Sequence, residues 1–261
     1  MKLMLPAVLL MAALTPAPGQ GQREPPSECS FDGPALPFAL VIVNDVCANF
    51  SGSITFGEKM WFLDLVDVTV GAATIQRLQA TFNPDPFITF GATTTNLVAG
   101  PVTYAFLFGT AIVPDFYTNA LSTGGLSLTN GAAGLSTVDN SAVYPTYVSG
   151  YGTVGLAPTN LGVDLGTDPC VSSSPGPAGH TEVCGYGSAT NSFSPTFYDN
   201  LEAMLTYTQT DVGSVASWSG SVVLTTQRTV VPEPLSILLM ATGLVGIGAV
   251  AARRRRRESE K

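Results

Sequence analysis

Between residues 37 and 227, apolar and polar positions fall into short β-prone runs broken by Gly, Pro, Asn and Asp. The runs predict strands over 38–43, 53–56, 60–70, 74–82, 87–95, 102–113, 201–210 and 215–226. Alternation is clearest where Leu201, Ala203, Leu205 and Tyr207 take one face and Glu202, Met204, Thr206 and Thr208 the other. Asp211-Val212-Gly213 predicts a hairpin turn into the last run. Gly or Pro interrupts most windows long enough for a ten-residue amphipathic helix. Strands spaced in this way indicate an all-β fold, a single β-sandwich or jelly roll over 37–228, rather than βαβ units.

Two segments within this body stand apart. Phe50-Ser51-Gly52-Ser53-Ile54 and Trp218-Ser219-Gly220-Ser221-Val222 share an aromatic-Ser-Gly-Ser-aliphatic pattern. They are expected as neighbouring strands of one sheet, with glycine accommodating a bulge. Residues 166–187, rich in Ser, Pro and Gly, read as a surface loop bracketed by Cys170 and Cys184.

The hydrophobic pattern changes at both ends. Lys2 and the apolar run 3–14, followed by Ala17, Gly19 and Gly21, predict a cleaved signal peptide over 1–19, with 21 as the alternative cleavage point. Residues 20–36 form a lead-in. At the other end, 235–252 carries no charge and as a helix would extend about 27 Å, close to the ~30 Å of a bilayer core. Arg253, Arg254, Arg255, Arg256 and Arg257 follow and would hold that end in the cytoplasm, leaving the large N-terminal part outside.

Val231-Pro232-Glu233-Pro234, the apolar span and the arginine cluster occur in that order over 231–257, and together they resemble the PEP-CTERM sorting signal of Gram-negative and related bacteria. The resemblance covers about 30 of the 261 residues and matches the motif at Pro232, Glu233 and Pro234. It implies recognition by an exosortase, a membrane-embedded cysteine protease that processes the tail near the motif, after a signal peptidase has acted at the other end. The two prolines forbid regular helix or central strand, so the motif is expected to be extended and accessible. The expected location is the inner membrane with the body in the periplasm, then the cell surface or medium once the tail is removed.

Charge agrees with that address. From Arg23 to Val231 there are four basic and sixteen acidic residues, a balance of −12. An acidic body repels phosphate backbones and excludes nucleic acid as its partner. Four cysteines permit three connectivities; the local pairs Cys29/Cys47 and Cys170/Cys184 are the simplest disulfides for an exported chain.

Candidate chemistry is sparse. His180 is the single histidine and lies in the Ser/Pro/Gly segment, and no G-x-S-x-G elbow occurs. Asp64/Asp67 and Asp164/Asp168 are the closest pairs of aspartates, without any distinctive setting for glycoside hydrolysis. No cofactor is expected and no metal is assigned, although Asp164 and Asp168 are the best local candidates for Ca²⁺. Carbohydrate binding has more to draw on, since sugars are held by aromatic faces, and the resemblance implies an exopolysaccharide setting. Tyr144, Tyr147 and Tyr151 are expected as an exposed aromatic cluster, whereas Trp61 and Trp218 are expected in packing roles. The leading reading is a non-enzymatic surface or matrix structural protein. A carbohydrate-binding module is the alternative, and a secreted glycosidase or other hydrolase comes third.

Overall fold

The computed structural model describes residues 37–226, except 72, 133, 142–143, 155–156 and 174–178. The signal-peptide and lead-in segments, Cys29, the Pro-Glu-Pro motif, the apolar span and the arginine cluster lie outside the described residues.

The described chain is all-β. Its strands are β1 (Phe38–Val43), β2 (Val46–Asn49), β3 (Thr55–Gly57), β4 (Met60–Val70), β5 (Ala73–Asn83), β6 (Phe87–Asn96) and β7 (Val102–Thr129), then β8 (Leu135–Asp139), β9 (Val148–Val154), β10 (Ala157–Asn160), β11 (Cys170–Ser173), β12 (Thr181–Gln209) and β13 (Val215–Thr225). The pairings join them into one antiparallel system. Its spine is the ribbon of β7 and β12, paired from Thr181↔Thr129 to Gln209↔Val102.

The ribbon changes neighbours midway. Along 104–109, β7 pairs with β1, whereas along 119–129 it pairs with β13. Register shifts in β12 between Ser192 and Thr196 and between Tyr198 and Asn200 mark the change. Pro114 and Pro195 sit at these unpaired positions, where the missing N–H breaks no ladder bond. One layer therefore runs β2-β1-β7-β12-β9-β10 and the other β12-β7-β13-β6-β5-β4-β3, and β7 and β12 contribute to both. β8 pairs with β11 and with the end of β12.

The layers face each other in a β-sandwich-like arrangement. Phe108 of the first stacks on Phe90 of the second with centroids 5.5 Å apart, and Tyr207 lies 5.5 Å from Trp218. Phe82, Phe106, Phe108, Ile88, Leu126 and Leu128 are fully buried between them. Each such side chain contributes roughly 1.5–3 kcal/mol through burial.

Four sequence expectations are corrected. Ser51–Ser53 form a 3₁₀ turn rather than a strand, and β3 begins after it. Trp218–Val222 lie in β13 with unbroken register on both sides, so no bulge separates them from their neighbours. The Asp211–Gly213 turn does not close a hairpin, because β13 pairs with β6 and β7 and not with β12. The 166–187 segment is not one loop: β11 occupies 170–173, and Cys184 lies inside β12. The predicted runs 102–113 and 201–210 are parts of strands of 28 and 29 residues.

Candidate functional site

Alternation along the second layer sends Ala216, Trp218, Val222 and Leu224 of β13 inward, which leaves Ser217, Ser219 and Ser221 on the outer face. β6 does the same with Thr89, Gly91 and Thr93, and β7 with Thr123, Gly125 and Ser127. The registers align them in three rows across the strands. Thr93, Ser217 and Ser127 form one row, and Thr89, Ser221 and Thr123 another. Between them runs a row of Gly91, Ser219, Gly125 and Gly185, three of which have no side chain at all.

The result is a trough floored by backbone and flanked by hydroxyls, and over β5, β6 and β13 it forms an open depression of about 420 Å³. Its walls are ordered. The Thr93 and Ser217 hydroxyls are 2.9 Å apart, and those of Thr123 and Ser221 are 2.8 Å apart. At the β5 side, Arg77 donates from Nε and Nη2 to Asp64 at 3.3 Å each. With its amide oxygen turned toward the guanidinium, Gln79 accepts from the same arginine at 2.7 and 3.1 Å. The guanidinium at the trough's edge is thereby bonded to two neighbours.

The glycines of this row are not required by the backbone or by packing. None of Gly91, Gly125 and Gly185 adopts a positive φ. A Cβ would lie 3.4 Å from Trp218 O at Gly91 and 3.9 Å from Cys184 O at Gly125, and would meet nothing within 4 Å at Gly185. By contrast, a Cβ at Gly220 would come within 2.6 Å of the Phe90 ring and 2.8 Å of Thr123 O. Glycine within a strand costs about 0.5–1 kcal/mol relative to alanine, and it often marks a place where a ligand approaches the backbone. An open floor with hydroxyl walls suits a polar, hydroxylated chain laid across the strands. No carboxylate, histidine or cysteine lines the depression, so it offers hydrogen bonding rather than acid–base chemistry.

No family model matches the chain, and no curated protein matches it.

Of the three tyrosines expected on the surface, Tyr147 is in the core. It is fully buried, with its ring 4.9 Å from Trp218 and its hydroxyl 2.9 Å from Val138 O and 3.1 Å from Asp168 O. Residue 147 precedes β9, so the pleat that turns Tyr151 outward does not set its direction. Tyr144 and Tyr151 are half-buried and remain near each other on the outer side of the first layer. Burial raises the Tyr151 phenol above its ordinary value; a hydrogen bond with Ser149 opposes the rise, and Asp164, Tyr144 and Glu202 add to it.

Glu202 lies directly across from Tyr151 on β12. Burial pushes it up to about 7. Sequence reasoning placed Glu202 on the polar face of its strand but gave no sign that the carboxyl would be buried there.

The remaining expected residues are dispersed. The Asp164 carboxylate accepts from Asn160 Nδ2 at 3.2 and 3.3 Å, while Asp168 offers its backbone carbonyl to Tyr147 and Tyr186. Among the described residues, no three His, Cys, Asp or Glu side chains are grouped so as to hold a metal ion. His180 is exposed, with Nε2 3.9 Å from Glu182. Cys170 and Cys184 form a disulfide that ties β11 to β12, and Cys47 is disulfide-bonded too. Trp218 packs in the core, and Trp61, half-buried, packs against the core and on Phe56 at 4.7 Å. The trough was missed by sequence reasoning. Its signal was present in the alternate Ser and Thr positions of 89–95 and 217–221, once both strands are set side by side.

Proposed function

We propose that this chain is an exported, non-enzymatic surface or matrix protein whose body holds exopolysaccharide in the hydroxyl-walled trough of its second layer. The signal peptide and the exosortase-type tail deliver it: the body is first anchored at the inner membrane on the periplasmic side, then released to the surface by tail processing. The observation that carries the binding reading is the row Gly91, Ser219, Gly125 and Gly185, kept open at a cost in strand stability that neither backbone geometry nor packing explains. Hydroxyl pairs on both walls supply donors and acceptors matched to sugar hydroxyls. Glycoside hydrolysis needs two carboxyl groups flanking the bond, and the trough presents none, which favours holding a polysaccharide over cleaving it. The acidic body favours neutral over acidic polymers.

The test is co-sedimentation with purified exopolysaccharide, run beside a glycan array, for the parent protein and for Gly125→Val and Gly91→Val. Binding by the parent and its loss in both folded variants is the expected result. Equal binding by all three would move the site elsewhere, and no binding to any neutral or acidic glycan would sink the reading. Delivery is tested separately: replacing Pro232, Glu233 and Pro234 with alanine should leave the tail unprocessed. Unchanged mature mass and location would remove the exosortase from the account.

A further inference from the structure

The exposed aromatic side chains gather at one end of the body. Phe116, 59% exposed, and Phe197, 37% exposed, meet edge-on across β7 and β12 at 5.6 Å, where the ribbon bends. Phe56, 62% exposed, packs on Trp61, and Trp61 and Val113 line one shallow, mostly apolar groove of about 240 Å³. These three phenylalanines are the only exposed ones among the described residues.

The chain leaves the body at the same end. Thr225, the last residue of β13, pairs with Asn119, three positions along β7 from Phe116, and Leu224 N donates to Pro86 O. From Thr226 to Leu235 there are nine residue steps, so the apolar span begins at most ~30 Å away. A tether this short and attached at this end turns the phenylalanines toward whatever the span enters. Phenylalanines on the apolar face of an interfacial element bury their rings at the boundary between headgroups and acyl chains.

We propose that, while the tail is attached, this end of the body rests on the bilayer with the Phe116–Phe197 pair at the lipid interface. The contact rests on the reading of 235–252 as a membrane span. Asp115 adjoins Phe116 in sequence, and it and Asp85 are close enough for both to act on the Tyr117 phenol. Anionic lipid therefore opposes the contact, and the surface it fits is a zwitterionic one.

The experiment reconstitutes the full chain in phosphatidylcholine vesicles with brominated acyl chains and reads tryptophan fluorescence. A Phe116→Trp variant should be quenched about twofold relative to unbrominated lipid, as expected for a ring at headgroup level. A Val183→Trp variant, placed toward the opposite end of β12, should not be. Replacing part of the lipid with an anionic one should reduce the quenching; an increase would overturn the proposal. Carbonate extraction separates the two failures. Protein that resists extraction yet shows no quenching overturns the contact alone, whereas protein washed away by carbonate overturns the span and the contact with it.

Discussion

The hydroxyls of Thr94 and Tyr207 meet 2.8 Å apart between the two layers, β6 supplying one and β12 the other. Thr94 also donates to Gln209 Oε1 at 2.9 Å, so the Tyr207 hydroxyl donates to Thr94. Gln209 Nε2 continues the chain to Ser214 O and Oγ at 2.8 and 2.9 Å. All four residues are completely buried. A polar network in this position is stabilising only while every member is satisfied.

Thr94→Val keeps the shape and removes the central hydroxyl. It leaves the Tyr207 hydroxyl and Gln209 Oε1 unpaired, each costing about 1–3 kcal/mol. Urea unfolding should show a loss of about 2–4 kcal/mol, with Thr94→Ser costing far less. Equal losses for the two variants would mean that packing, not the network, joins the layers at this point.

Glu202 makes stability depend on pH. Its folded-state value is raised from 4.5 to about 7, so the native state binds the proton more tightly than the unfolded chain does. Below about pH 4.5 the carboxyl is protonated in both states and its burial is not penalised. As pH rises from there to about 7, the native state loses stability, by on the order of 2–3 kcal/mol in all. Glu202→Gln should therefore raise the melting temperature at pH 8 and leave it nearly unchanged at pH 4. A uniform shift at both pH values would show that the substitution acts through packing instead.

The Cys170–Cys184 bond spans 14 residues of sequence and fixes β11 against the free side of β12. In the chain-entropy model a closed loop of this length is worth about 3 kcal/mol. Replacing both residues with serine should lower unfolding free energy by roughly 2–4 kcal/mol. The double variant should also lose only part of the parent's response to reductant, because Cys47 is in a disulfide as well. A double variant as stable as the parent would show that β8 and β12 hold β11 without the bond.

Local pattern was enough for some elements and not for others. β1 and β4 coincide with the predicted runs because each is rich in apolar and β-branched residues and is bounded by turn residues; Asn44, at φ 51°, turns the chain after β1. β7 and β12 were cut short because Pro114 and Pro195 look like ends. In the fold those residues lie at a bend within continuous strands, and only the partner strand reveals it. β8, β9, β10 and β11 have few large apolar residues, and their pairing supplies what their composition does not. The trough follows the same logic. Gly91, Gly125 and Gly185 are 34 and 60 residues apart, and a row across strands has no counterpart along the chain.

Those glycines allow stability and binding to be separated. At Gly125 and Gly185 a side chain would enter open space with the backbone at a φ that any residue adopts, so Gly125→Thr and Gly185→Thr should be neutral or stabilising by up to about 1 kcal/mol. At Gly220 an added Cβ would strike the Phe90 ring and the Thr123 carbonyl, and at Gly131 it would come within 2.0 Å of Val212 O. Gly220→Ala and Gly131→Ala should each lose about 1–3 kcal/mol or more through overpacking. Thermal unfolding of the four variants, paired with polysaccharide co-sedimentation, gives the decisive pattern. The trough variants should fold at least as well as the parent and bind worst; trough variants that are destabilised, or that bind as well as the parent, would assign these glycines to the fold and leave the open row without a ligand.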